Sequence, residues 1–261
     1  MQSDSRLFLV YLAVKYKGDV GLIVNALRNK EKVPLNEAEN IYKSLSCKVI
    51  TLLDFDYPRK LKQIHNPPIV LFYYGDISLI DDNKRKLAVV GSRQFSSYGK
   101  EATSYLVGEM ARECIVVSGL ASGIDAIAHQ AAINNKGRTI AVLGSGIDFC
   151  YPEENKELYE EIKKNHLLIS EYPGVTPPDG YHFPLRNRIV VGLSDGLLVS
   201  QINTYASGTN ISISLAVDYN KPVLAIPHPI NEEVANVTNK LLGEGIPSAE
   251  SKKDIMEELN W

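Results

Sequence analysis

The sequence predicts an α/β protein: a doubly wound, mostly parallel sheet preceded by a small helical module. Three observations lead there. From Leu87 onward, short continuous runs of Val, Ile and Leu alternate with helical stretches, the pattern of parallel strands covered by helices on both faces. Most of these runs end in Gly and Ser, the residues that tight strand-to-helix turns favour. The first 50 or so residues show helical spacing and no comparable strand pattern.

Taken in order, residues 7–14 are apolar and stop at Lys15 with no small-residue cleavage site after them. They read as a buried helix, not a signal peptide. No apolar stretch approaches the roughly 20 residues of a membrane helix. Leu22, Ile23, Ala26 and Leu27 sit at helical spacing, Pro34 interrupts, and Asn36 followed by Glu39 predicts a capping box opening the next helix. Residues 51–86 form a connector rich in Pro and aromatics, and 69–75 within it read as a buried strand. Strands are then expected at 87–90, 114–117, 139–143, 167–169, 197–199 and 223–226. Helices are expected near 98–112, 123–135, 154–164, 184–193 and 209–219, with a charged helical tail over 252–261. Right-handed crossovers wind such a pattern into a Rossmann-like sheet. The expected division is a helical module over 1–50, a connector over 51–86 and a core over 87–261.

Composition narrows the function classes. With 44% hydrophobic and 23% charged residues, the chain is ordinary globular material. Cys47, Cys114 and Cys150 are widely separated and lack CxxC spacing, which fits a cytoplasmic, reducing setting and argues against a disulfide framework or a zinc site. The net charge is −3, split into +4 over residues 1–86 and −7 over the remainder. Nonspecific coating of duplex DNA calls for a broad basic face; an acidic body of this kind binds nucleic acid only through a locally basic pocket.

Ligands in a doubly wound sheet sit outside the carboxyl ends of the strands, so the loops after each strand carry the functional reading. The first is Gly91-Ser92-Arg93-Gln94, in which small residues and helix-start amides suit an anion and Arg93 supplies a planar charged fork. The second, Ser118-Gly119-Leu120-Ala121-Ser122-Gly123, is another anion cradle. Neither GxGxxG nor GxxxxGK[ST] is present, so dinucleotide binding and P-loop hydrolysis are not expected. Asp125 and His129 share a helix face, either as an acid–base pair or as an orienting hydrogen bond. The third loop begins Gly144-Ser145-Gly146 and runs to Lys156. The fourth holds Phe183-Pro184-Leu185-Arg186-Asn187-Arg188, an aromatic beside arginines, as base stacking with phosphate contact requires. The last is Ala206-Ser207-Gly208-Thr209.

Together the stretches YPRKLKQIHNPPIVLFYYGD, VVGSRQFSSYG, SGLASGIDAIAH, TIAVLGSGIDFCYPEEN, ISEYPG, FPLRNRIVVGLSDG and LAIP, running over residues 57–227, resemble the DNA-processing protein A (DprA/Smf) family. The resemblance implies a Rossmann-like core that binds single-stranded DNA, a homodimer, and loading of the RecA recombinase during natural transformation. It implies no enzyme activity, no cofactor and no metal. Carried over by motif, the DNA-binding residues are Arg93 with Ser92 and Gly91, then Gly119, Gly123, Gly144, Gly146 and Lys156, and finally Phe183, Arg186, Asn187 and Arg188. The resemblance also suggests a dimer face formed by the region of Ile211, Ile213, Leu215 and Val217 together with the later helices. The chain departs from the family pattern at Ser200-Gln201-Ile202, at His228 and around residues 236–240. The competing reading is a nucleotide-binding hydrolase of the lysine-decarboxylase-like phosphoribohydrolase type, whose PGGxGTxxE signature is absent.

Overall fold

The computed structural model describes residues 4–204 and 208–261. Three helices open the chain: α1 (Asp4–Lys15), α2 (Val20–Arg28) and α3 (Leu35–Ser44). Then come β1 (Lys48–Thr51), the short α4 (Arg59–Lys62) and β2 (Val70–Gly75). The alternating part follows as β3 (Lys86–Val90), α5 (Ser97–Met110), β4 (Ile115–Ser118), α6 (Ile124–Asn134), β5 (Arg138–Gly146), α7 (Lys156–Asn165), β6 (Leu167–Tyr172), α8 (His182–Leu193) and β7 (Gly196–Val199). It ends with α9 (Gly208–Asp218), β8 (Val223–Ala225), α10 (Asn236–Gly243) and α11 (Lys252–Glu258).

One sheet runs in the order β1-β2-β6-β5-β4-β3-β7-β8. The six strands from β6 to β8 are parallel, and β1 and β2 add an antiparallel edge. The period of two along each strand sorts the core into two sides. Ala88, Val90, Val117, Ile140, Val142 and Val199 pack with Ile189, Val190 and Val191 of α8 on one face. On the other, Leu87, Val89, Val116 and Leu198 meet α5 and α6, while Ala141, Leu143, Leu168 and Phe72 meet α1, α2 and α7. Covering both faces is the doubly wound arrangement expected from the continuous apolar runs.

Several local readings are corrected. The third helix begins at Leu35 behind Pro34, with no side-chain cap, so Asn36 lies inside the first turn and forms no capping box. Neither β1 nor α10 was anticipated: β1 has only four residues, and α10 turns only Val237, Thr238 and Leu241 inward. The four apolar residues of α9 do not share a face. Ser212 and Ala216 point to the core, Ile213 and Leu215 flank them, and Ile211 and Val217 are exposed. Spacing by two marks a strand face and is scattered by the 3.6-residue helical repeat.

Candidate nucleic-acid interface

The strand order reverses between β3 and β7, whose onward connections leave toward opposite edges. That switch point opens a crevice at the carboxyl ends of the strands, and a cavity of about 440 Å³ lies there. Its walls include Gly91, Ser92 and Arg93 from the β3 loop, Ala121 and Asp125 from the β4 side, and Phe183, Arg186 and Asn187 from α8. A small cleft bearing Gly119, Gly144 and Tyr151 adjoins it and shares Arg93, Phe183 and Arg186. Helices α6, α8 and α9 all begin at this edge, so their N-terminal partial charges favour an anion. A larger cavity, about 850 Å³, lies between α1–α3 and the segments at 52–53 and 66–69, but no cation lines it, so it does not suit a polyanion.

Close approach explains the glycines. A side chain at Gly119 would meet the Arg186 guanidinium within 2.4 Å, and one at Gly144 would meet the Phe183 ring at 2.6 Å. Gly123 has φ +86 and lies against the Ser92 and Arg93 backbone, where an L side chain is strained as well as obstructed. These glycines let α8 and the β3 loop come down on the strand ends. The amide of Gly119 is already given to Asp125, at 3.2 Å.

The cations divide by availability. Arg93 is exposed, forms no ion pair among the described residues, and lies 5.6 Å over the Phe183 ring. The same ring has Tyr151 at 5.7 Å. Arg186 is 5% exposed. Its Nε donates to Asn187 Oδ1 and its Nη1 to the carbonyls of Gly119 and Val142, which leaves Nη2 as the nitrogen without a protein acceptor among the described residues. Burial pushes this guanidinium down and the nearby Asp125 carboxyl up, each opposed by the other's charge; an arginine stays protonated through such a shift. Ser212 Oγ, also on the cavity wall, is buried without a hydrogen-bond partner.

Four expected residues line neither the cavity nor the adjoining cleft: Gly123, packed beneath the β3 loop, and three others. Two positions apart on a helix point nearly opposite ways, so Arg188 turns from Arg186 and forms a buried bidentate pair with Glu171 at 2.7 and 2.8 Å. Lys156 is exposed at the start of α7 and lines neither cavity nor cleft. Gly146 lies under the 174–176 backbone and donates its amide to Thr176 O. Of the last loop, Ala206 and Ser207 lie outside the described residues, while Gly208 and Thr209 line the cavity. Gln94, Asn203 and Ser212 also line it and were not singled out; the reversal of strand order is the signal that would have found them.

Asp125 and His129 do not form an acid–base pair. Asp125 accepts the amides of Gly119 and Ala121 at 3.2 and 3.4 Å. His129 Nδ1 is 2.6 Å from Thr139 Oγ1, whose own proton goes to Val116 O, so Nδ1 is the protonated nitrogen and donates. Burial first, then the charge of Arg186, push this imidazole down to about 3.

The departures after residue 200 form a buried polar network. Ser200 Oγ contacts Thr103 Oγ1, Gln201 Oε1 accepts the Ser96 amide, Ser200 O contacts His228 Nε2, and His228 and Asn239 exchange two bonds. The network ties the β3 and β7 loops to α10.

Residues 48–260 match the family model described as DNA recombination-mediator protein A, and the chain belongs to that family. It is 40% identical to the DNA processing protein DprA of Bacillus subtilis, over 84% of this chain and 73% of that protein. Against the DprA of Streptococcus pneumoniae it is 38% identical, over 81% and 74%. The X-ray structure of DprA from Streptococcus pneumoniae superimposes with a TM-score of 0.83 at 30% identity, covering 98% of both chains. The DprA of Helicobacter pylori, described for its single-stranded DNA binding mode, superimposes with a TM-score of 0.72 at 32% identity, over 82% and 97%. No helix among the described residues is long and apolar enough to cross a membrane, and no group of three or more potential metal ligands occurs among them.

Proposed function

We propose that this chain, as a member of that family, binds single-stranded DNA in the switch-point cavity and hands it on in recombination. The observation that carries the reading is the stack of exposed Arg93 over Phe183 beside Arg186 Nη2, which has no acceptor among the described residues. A base displaces Arg93 from the Phe183 ring and stacks there, while Arg93, Arg186 and the helix N-termini receive the phosphates. Ser92, Gly91 and Asn187 shape the wall, and Gly119, Gly123 and Gly144 act by letting the cations and the ring approach. Duplex DNA hides its base faces, so the cavity prefers single strands. Arg188 supports the site through its pair with Glu171, not through DNA.

Oligo-dT titrations at several salt concentrations test this. Arg93→Ala should lower affinity and reduce the salt slope by about 0.7. Phe183→Ala should weaken binding by about 1–3 kcal/mol with the slope nearly unchanged. Wild-type binding by folded variants of both kinds would overturn the assignment.

The finer parts of the reading are a homodimer, transfer of the strand to RecA, a cytoplasmic location and binding without turnover. Membership of a recombination-mediator family supports the second, and three free cysteines fit the third. Engagement of both Asp125 and His129 by protein groups supports the fourth. Light scattering at micromolar concentration should give a dimer, and nucleoside mono- and triphosphates should stay intact during incubation; a strict monomer, or turnover, would refute the corresponding part.

A further inference from the structure

The amino ends of the strands, opposite the cavity, carry the larger supply of available positive charge. A groove of about 460 Å³ there is bordered by Lys84, Arg85, Arg112, Lys136 and Arg138, with Glu113 as its one acid. All five cations are exposed except Lys84, which is half-buried. Of the acids around them, Glu113 pairs with Lys252, Asp76 with Arg138 and Asp195 with Lys60, while the Asp81 carboxylate, held by Asn83, stands near Lys84 without forming an ion pair among the described residues. Among the described residues, Arg112 and Lys136 form no ion pair. Arg85 lies 5.7 Å over the Trp261 ring, and the Lys84 ammonium donates to the Ser78 hydroxyl.

The simpler account is that these side chains neutralise helix ends, since α5 and α6 finish at this edge, just before Arg112 and Lys136. Two helix C-termini contribute roughly −0.5 charge each. Four cations without a carboxylate partner, less the charge of Asp81 near Lys84, exceed that by about two charges, in a chain whose net charge is −3. A concave surface that keeps such an excess inside an acidic body is built for a polyanion.

We propose that this groove is a second nucleic-acid site that holds the phosphate backbone of DNA, distinct from the switch-point cavity. Arg138 and Gly146 open and close the nine-residue β5; at about 3.3 Å per residue the two edges stand roughly 26 Å apart. An oligonucleotide short enough to fill the cavity does not reach the groove, whereas a longer strand, or a second one, does. No aromatic lines the groove among the described residues, and the nearby Trp261 ring has Arg85 at 5.7 Å, so the site reads phosphates and is indifferent to strandedness. This inference rests on the proposed function only for its choice of DNA as the polyanion.

The test is the double variant Arg112→Gln/Lys136→Asn. Both side chains are exposed, and Lys136 has φ +61, a conformation that Asn tolerates better than most residues, so the fold is retained. Binding of oligo-dT of about 30 nucleotides, and of a duplex of equal length, should lose about 1.4 and 1.8 from their respective salt slopes. Binding of oligo-dT of about 6 nucleotides should stay as in the parent. Unchanged slopes for both long probes would overturn the groove as a DNA site. Equal displacement of duplex DNA by poly-glutamate and by competitor DNA would overturn it too, in favour of an acidic protein partner. Failure of the cavity reading looks different: the short probe would then not bind the parent at all, while the long probes would still depend on Arg112 and Lys136.

Discussion

Apart from the exposed Arg93, the cations at the carboxyl edge of the sheet differ in character from those at the amino edge. At the carboxyl edge, Arg186 and Arg188 are 5% and 7% exposed and bonded mainly to protein groups. At the amino edge, Arg85, Arg112, Lys136 and Arg138 stand in solvent. A buried guanidinium fixes geometry and offers a ligand one nitrogen; an exposed one fixes nothing and offers its whole charge. Counting basic residues along a sequence therefore does not locate available charge. The carboxyl edge presents a few fixed groups and a ring, whereas the amino edge has charge without shape.

The comparison breaks first at its ion pairs. Glu171→Ala leaves Arg188 buried without a counter-charge and should destabilise the fold by about 3–5 kcal/mol in urea denaturation. Arg138→Gln, which removes the exposed partner of Asp76 at the other edge, should cost less than about 1 kcal/mol. Similar losses would erase the distinction between the two edges.

A second measurement concerns the interior between them. The His129 imidazole is held down to about 3, against 6.5 for a free side chain. Because the folded value lies below the unfolded one, its contribution is fully present above pH 6.5 and is lost as pH falls from there toward 3. At pH 5 the loss is about 2 kcal/mol. His129→Asn should flatten the fall in stability between pH 7 and 5 relative to the parent; parallel profiles would show that the imidazole accepts its proton in the folded state.

The smallest effect sharpens the view of the carboxyl edge as a shaped site. Gly144→Ala puts a methyl 2.6 Å from the Phe183 ring and should shift it, weakening short oligo-dT by about 1 kcal/mol, part of the 1–3 that one stacked base supplies. Duplex binding at the amino edge should not change. Loss of both would point to general damage.

Much of this was legible beforehand, for identifiable reasons. The runs at 87–90, 139–143 and 197–199 are continuous because both sheet faces are buried, and the Gly-bearing loops mark where strands stop. Lys48–Thr51 escaped notice because an edge strand of four residues carries too little pattern to separate from its surroundings. Arg93, Phe183 and Arg186 do reach one cavity. Arg188 was misplaced because adjacency in FPLRNR suggests shared location, whereas helical geometry sends Arg186 and Arg188 apart. Gln94, Asn203 and Ser212 are ordinary polar residues in sequence and become cavity lining only through the position of β7 beside β3.

By itself the sequence determined the fold class, because hydrophobic period and glycine placement are local consequences of backbone geometry, and its motifs carried the resemblance to the family. Tertiary structure alone decided which cations are free. Whether an arginine is a ligand or a brace depends on the acceptors that neighbouring strands and helices place around it: Glu171 for Arg188, and the carbonyls of Gly119 and Val142 for Arg186. Those partners lie 17, 67 and 44 positions away along the chain. Packing brings them together, and local pattern carries no record of such distances.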